Sequence, residues 1–291
     1  MLEKKYEGCR VIYEMNGRDL ISKGTSLLTS AGVANPAREA MFILASLFDC
    51  EPAGCYLIDQ IPKSILDQFD QILERRLQGE PLQLILGKWE FYGRPIILRQ
   101  GVFVPRPETE GLVDIVLERA RRKPESEGLE IGVGSGAICV NLLAEMPDLR
   151  MTGTDISKPA LELTLENAQK LGVADRLALV GTDCADGLSS TFDFIVSNPP
   201  YVLASEMANL PAEVRFDPET ALTDGGDDLE TTRKIVKSAN ERLVPGGFLA
   251  IEIHEEMCCK ILEMLSADFV RNTIIKDLAG KDRYCIAFKG N

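Results

Sequence analysis

The sequence predicts an α/β protein in two parts: a small helical bundle, then a mostly parallel sheet with helices on both faces. Three observations carry that expectation. From Arg18 to Gly79 the apolar residues recur at helical spacing throughout. Further on, apolar strand-like runs alternate with helical stretches, the order that yields a parallel sheet. Between them lies Lys88–Leu98, two short β-prone runs around Gly93 that read as a hairpin.

Taken in order, residues 1–17 show no clear pattern. Leu20, Ile21, Leu27 and Leu28 make one apolar helix face; Met41, Phe42, Ile43, Leu44 and Leu47 make a second; Ile65, Leu66, Phe69, Ile72, Leu73 and Leu77 make a third. Asn35-Pro36 and Ser64 suit helix starts, and Gly32 and Gly79 suit helix ends. The bundle therefore ends near Gly79-Glu80-Pro81. Residues 1–80 are expected to form the helical domain, 81–104 a linker with the hairpin, and 105–291 the α/β body. In that body strands are expected at 129–131, 149–153, 177–180, 192–197 and 247–253, with helices at 137–146, 158–171 and 229–243 between them. A helix at 255–265 and an antiparallel strand pair, 269–275 with 283–288, close the seven-stranded sheet.

At 291 residues the chain has room for about two domains of ordinary size. Its 32 Lys and Arg against 45 Asp and Glu give a net charge of −13, nearly all of it after residue 100. The longest basic cluster, Arg121-Arg122-Lys123, has Glu125 and Glu127 just behind it, so a nucleic-acid polymer is a disfavoured substrate and no direct nucleic-acid substrate is expected. No run of about 18 apolar residues suggests a membrane span, and acidic residues stand where a signal peptide would be apolar, so a cytoplasmic protein is expected. The eight cysteines form no C-x-x-C pair and no zinc-like spacing with the only histidine, His254; they read as buried, reduced thiols, and no metal site is expected.

Leu129–Ile138 reads as a strand, a glycine turn (Gly132, Gly134, Gly136) and a helix start. Such a turn lets the backbone pass close beneath a ligand and turns N–H groups toward it. The G-x-G-x-G spacing departs from the G-x-G-x-x-G of dinucleotide folds. Asp155, at the end of the next strand, stands where it can accept from both hydroxyls of a ribose, and Asp183-Cys184, after the third, offers an acid suited to an exocyclic amine. Three such features at successive strand ends fit S-adenosylmethionine better than a pyrophosphate cofactor.

The strand Phe192–Ser197 runs straight into Asn198-Pro199-Pro200-Tyr201. Two prolines stiffen the turn and withdraw N–H donors, leaving the Pro199 carbonyl and the Asn198 side-chain oxygen as fixed acceptors. Two acceptors suit an –NH2 group, and holding both hydrogens of a poorly nucleophilic amide aims its nitrogen at an incoming methyl. Tyr201 is expected to stack on the planar group and exclude water. His254 at a strand end reads as structural, since a sulfonium methyl demands no base before transfer.

On these residues the chain resembles the release-factor glutamine N5-methyltransferases (HemK/PrmC family), which are class I S-adenosylmethionine-dependent enzymes with a Rossmann-like fold. The resemblance spans about residues 18–288. It rests on Glu80–Gly87, Glu90–Gly93, Val102–Glu110 (V-F-V-P-R-P-E-T-E), the glycine turn, Asn198–Tyr201, Val214–Pro218 with Ala221-Leu222, Gly225 and Gly226, and more weakly Lys276–Arg283. It implies methyl transfer to the glutamine of the Gly-Gly-Gln loop of peptide-chain release factors, with the helical domain helping to dock that protein partner. By the same resemblance Glu130, Ile131, Gly132, Val133, Gly134, Gly136, Asp155, Ile156, Asp183, Cys184 and Asn198 line the cofactor. Asn198–Tyr201 hold the glutamine, Phe103 and Arg106 contact the substrate, and the Pro105–Thr109 segment borders the methionine end. Glu130, Val133, Cys184 and His254 depart from the family's usual Asp, Thr, Trp and Gly. Two other readings share features of this sequence: an N6-adenine methyltransferase acting on DNA or RNA, and a catalytically silent module that keeps the cofactor fold for docking.

Overall fold

The computed structural model describes residues 15–123 and 125–290, so the unpatterned residues 1–14, with Cys9, lie outside the described residues. Cys55, Cys139, Cys184 and Cys285 are buried as expected, whereas Cys50 and Cys259 are exposed, a correction to the expectation of buried thiols. The chain divides into two compact units at Leu86/Gly87.

The first unit holds helices α1 (Gly17–Ser30), α2 (Pro36–Phe48), α3 (Lys63–Leu77) and the short α4 (Leu82–Leu86). Asn16 caps α1 by accepting from the Asp19 N–H, and Pro36 opens α2 at the position where its missing N–H costs nothing. α3 begins one residue before Ser64, behind Pro62. Leu20, Leu28, Ile43, Leu44 and Phe69 are fully buried between these helices. Arg76 is buried with them because Glu39 meets its guanidinium at 2.7 Å.

The second unit opens with the hairpin of β1 (Lys88–Phe91) and β2 (Arg94–Ile97). Its two-residue turn has both Tyr92 and Gly93 at positive φ, the type I′ geometry whose twist matches paired strands. Then follow α5 (Glu110–Ala120), β3 (Glu127–Ile131), α6 (Ala137–Glu145), β4 (Arg150–Asp155), α7 (Lys158–Lys170), β5 (Leu177–Gly181) and β6 (Phe192–Ser197). The one-turn α8 (Glu219–Leu222), α9 (Glu230–Arg242), β7 (Leu243–Glu252), α10 (Cys258–Leu265), β8 (Phe269–Lys276) and β9 (Asp282–Lys289) complete it. Helix α5 buries Leu112, Val113, Ile115, Val116 and Leu117 on one broad face and leaves Asp114 and Glu118 exposed as a narrow polar stripe.

The seven strands run in the order β5-β4-β3-β6-β7-β9-β8, parallel except for β9, which pairs antiparallel with both neighbours. From β3 the chain winds outward through β4 to β5 and then returns to β6 on the other side of β3. That reversal opens a crevice at the carboxyl ends of β3 and β6, where open α/β sheets bind ligands. Among the described residues no helix is long and apolar enough to cross a membrane.

Candidate active site

A cavity of about 370 Å³ occupies this crevice, and every site residue expected from the sequence lines it except Gly136. Gly132 and Gly134 hold φ of +75° and +53°, and a Cβ on either would project into open space. Their backbone forms a cradle that a side chain would fill. Gly136, the exception, stands at the helix end of the turn. It caps α6 at φ +77°, and an added Cβ would stand 2.7 Å from Thr164 Cγ2, so this glycine serves the packing of α7 against the turn. α7 clamps the turn further: Thr164 Oγ1 donates to the Gly134 carbonyl at 3.1 Å and Asn167 Nδ2 to the Ser135 carbonyl at 2.9 Å. Asn167 also exchanges hydrogen bonds with the Ile97 backbone, tying β2 to the same turn.

Asp155 ends β4 with both carboxylate oxygens aimed by the backbone: Oδ2 accepts from Gly134 N–H at 3.0 Å and Oδ1 from Ser157 N–H at 2.8 Å. Each oxygen keeps a further lone pair for a ligand hydroxyl. Ile156 beside it is 70% exposed, on the rim. Asp183 lines the cavity, but its Oδ2 is engaged by Lys234 at 3.0 Å, and this partner lowers the carboxyl's pKa. Cys184 sits in the left-handed region at φ 49° with its side chain in the core, and burial pushes its thiol up to about 12. Glu130 is 1% exposed; its Oε2 accepts from Cys139 N–H in the first turn of α6 at 2.9 Å. Desolvation raises its carboxyl to about 8 in spite of that bond.

Ser197 Oγ donates to the Ile131 carbonyl at 2.7 Å, locking the ends of β6 and β3 together just before Asn198. Asn198 Nδ2 donates to Thr109 Oγ1 at 3.1 Å, Thr109 Oγ1 donates to Glu252 Oε2 at 2.9 Å, and Tyr201 OH donates to Glu252 Oε1 at 2.9 Å. Among the described residues neither Asn198 Oδ1 nor the Pro199 carbonyl accepts a hydrogen bond, so both acceptors expected from the sequence remain available. Tyr201 lines the cavity as expected while its hydroxyl is committed to Glu252. Phe103 and Arg106 also border the cavity, but the Arg106 guanidinium lies over the Phe103 ring at 5.1 Å and pairs with buried Asp217. Asp217 also accepts from Val104 N–H at 2.9 Å. Arg106 thus fastens one wall of the cavity, and its charge is already matched. His254 is structural in its contacts: Nδ1 accepts from Glu256 N–H and Nε2 faces Glu206 at 3.4 Å.

Asp217 and Glu252 are not among the expected site residues, and Thr109 is expected only as the end of the segment bordering the methionine end. A lone acid within the apolar run Phe248–Ile253 is a signal for Glu252, since a carboxylate on a buried strand needs partners.

Residues 19–87 match the PrmC N-terminal domain and residues 96–227 the Methyltransferase small domain. The release factor glutamine methyltransferase of Cereibacter sphaeroides is 37% identical over 273 residues, 92% of this chain and 97% of that one. The chain belongs to the release factor glutamine methyltransferase family. The Aquifex aeolicus member is 38% identical over 86% of this chain and 90% of its own. Among solved structures, the catalytic domain of hMettl16 in complex with a MAT2A 3′UTR hairpin covers 66% of this chain and 73% of its own at TM-score 0.54 and 16% identity, a likeness of fold.

The family's cofactor is S-adenosylmethionine, and the residues present fit it. The open glycine cradle accepts a closely approaching ligand, and Asp155 puts a carboxylate at the cavity wall where a nucleoside's hydroxyls can donate to it. Asp155 would hold the ribose hydroxyls, and residues 130–134 would line the cofactor beside it.

Proposed function

We propose that this protein methylates the side-chain amide nitrogen, N5, of the glutamine in the Gly-Gly-Gln motif of peptide-chain release factors, in the cytoplasm. The observation that carries this reading is the pair of unpartnered acceptors, Asn198 Oδ1 and the Pro199 carbonyl, on a stiff Pro-Pro turn at the cavity wall. Two acceptors take the two hydrogens of a primary amide, and the nitrogen is then held in one orientation with its lone-pair axis free. Bound S-adenosylmethionine supplies an electrophilic methyl whose leaving group is a neutral thioether. The amide nitrogen sheds a proton after transfer, so no general base is needed to begin, which agrees with His254 being engaged elsewhere. Pro200 keeps the turn rigid, and Tyr201 closes the planar slot against water.

The first unit is proposed to dock the release factor, because it holds none of the groups that line the cavity. A glutamine loop alone offers far less than the roughly 1,200–2,000 Å² of a specific interface. The decisive experiment incubates the protein with labelled S-adenosylmethionine and purified release factor and maps the modified residue by mass spectrometry. Label on the Gly-Gly-Gln glutamine is expected. Label on an adenine-containing oligonucleotide instead would support the nucleic-acid reading, and absence of cofactor binding would support a silent module. A protein truncated to begin at Gly87 should bind S-adenosylmethionine normally yet lose about 10-fold or more in kcat/KM on intact release factor; equal kcat/KM would defeat the docking role.

A further inference from the structure

We propose that Glu252, acting through Thr109, sets the donor–acceptor polarity of Asn198 and is a positioning residue for methyl transfer. The proposal rests on the reading that Asn198 Oδ1 receives the substrate amide.

An asparagine amide is nearly symmetric in shape, so packing alone scarcely distinguishes its oxygen from its nitrogen. Turned by 180°, Asn198 would offer N–H groups to an incoming –NH2, donor against donor, and one of the two acceptors would be lost. The chain of hydrogen bonds behind it removes that freedom. An ionised carboxylate only accepts, so Glu252 draws the hydroxyl hydrogens of both Thr109 and Tyr201. Thr109 has one hydroxyl hydrogen, and it is spent on Glu252; toward Asn198 its oxygen can only accept. Asn198 must therefore present Nδ2, and Oδ1 is left for the substrate. The polarity originates 54 residues away in sequence, on a strand adjacent to that of Asn198, from a carboxylate that is fully buried.

Burial of a carboxylate is costly and must be offset. Desolvation raises Glu252 to about 6, the hydroxyls of Thr109 and Tyr201 and the nearby Arg283 hold it down, and Glu108 opposes them. Tyr284 also lies within its field. Glu252 is thus ionised at neutral pH, and below about pH 6 a protonated Glu252 becomes a donor toward Thr109, which frees the Thr109 hydroxyl to point at Asn198.

The test compares full-length Thr109→Ser, Thr109→Val and Glu252→Gln with wild type and Asn198→Ala, on release factor and without substrate. Thr109→Ser keeps the hydroxyl and should hold kcat within about 3-fold, whereas Thr109→Val and Glu252→Gln should lower kcat by about 10-fold or more with KM for both substrates nearly unchanged. Wild-type kcat should fall as pH drops through about 6, a limb absent in Glu252→Gln. Without substrate, the side-chain amide hydrogens of Asn198 followed by nuclear magnetic resonance should be protected from exchange in wild type and Thr109→Ser and unprotected in Thr109→Val and Glu252→Gln. Equal losses in Thr109→Ser and Thr109→Val, a loss confined to KM, or an unprotected wild-type amide overturns the relay. If Thr109→Val does not fold, Glu252→Gln, which removes the buried charge and replaces one of its two acceptor oxygens with an N–H donor, decides alone. Collapse of Asn198→Ala with full kcat in Glu252→Gln sinks the relay and spares the reading of Asn198; full kcat in Asn198→Ala sinks both.

Discussion

The two ends of the cavity are held by different means. At the glycine turn the groups facing the cavity are backbone atoms of neighbouring residues, and Asp155 is aimed by N–H groups two and twenty-one positions away. At the Asn198 end the decisive contacts are side chain to side chain across long separations: 89 residues from Asn198 to Thr109, 143 from Thr109 to Glu252 and 51 from Tyr201 to Glu252. One end is a local turn that a strand and a helix carry with them. The other exists only once α5, β6 and β7 have come together. A backbone cradle tolerates change at side chains that do not face the ligand, whereas a hydrogen-bond chain fails at any link.

Substitutions at the two ends should therefore separate binding from turnover. The largest effect is expected for Asn198→Ala, which removes a side-chain acceptor and should lower kcat by on the order of 100-fold while cofactor affinity stays within a few-fold. Near-normal turnover on release factor would end the positioning account. At the other end Asp155→Ala should weaken S-adenosylmethionine by about 1.5–3 kcal/mol, the range for hydrogen bonds to a charged group, as read by calorimetry. Unchanged affinity would remove Asp155 from the site.

Smaller effects probe how each end is built. Gly136→Ala puts a Cβ on a residue at φ +77° and against Thr164, and should cost about 1–3 kcal/mol in urea unfolding. No loss of stability would mean that α7 does not depend on the close approach. Glu130 offers a pH test. Its carboxyl lies near 8 in the folded protein against 4.5 as its ordinary value, so between those limits the folded state keeps a proton that the unfolded chain has released. Wild-type stability is thus lost as pH rises from about 4.5 to about 8, while Glu130→Gln, neutral throughout, escapes that loss. The melting temperature of the cofactor-free variant should pull ahead of wild type by a few degrees across this window and stop gaining above it. A constant difference from pH 5 to 9 would show that Glu130 is ionised throughout.

Much of this was legible beforehand, for reasons that follow from the same contrast. Strands β3 to β9 fall within a few residues of their expected places because apolar runs broken by helical periods signal a parallel sheet. Helix α5 is not among the expected elements, because its eleven residues offer only the narrow polar stripe of Asp114 and Glu118 to mark a helical period. The glycine turn, Asp155 and Asn198–Tyr201 were legible because their residue types are demanded locally, by positive φ, by a strand end or by a Pro-Pro turn. Gly136 marks the limit of that legibility: its φ and its close approach to Thr164 demand a glycine for packing, and sequence does not separate that demand from a ligand's.

The sequence by itself determined the helical bundle, the order of strands along the chain, the glycine cradle and the identity of the acceptors, because each depends on backbone geometry or on side-chain chemistry within a few residues. Only the tertiary structure decided what those groups do once assembled. It gave Arg106 to Asp217 and Asp183 to Lys234, so two charges that sequence assigned to ligands already have protein partners. It also set Glu252 behind Thr109 and Asn198, because burial beside two hydroxyls makes that carboxylate an acceptor whose influence reaches the cavity wall through a threonine it could meet only after folding.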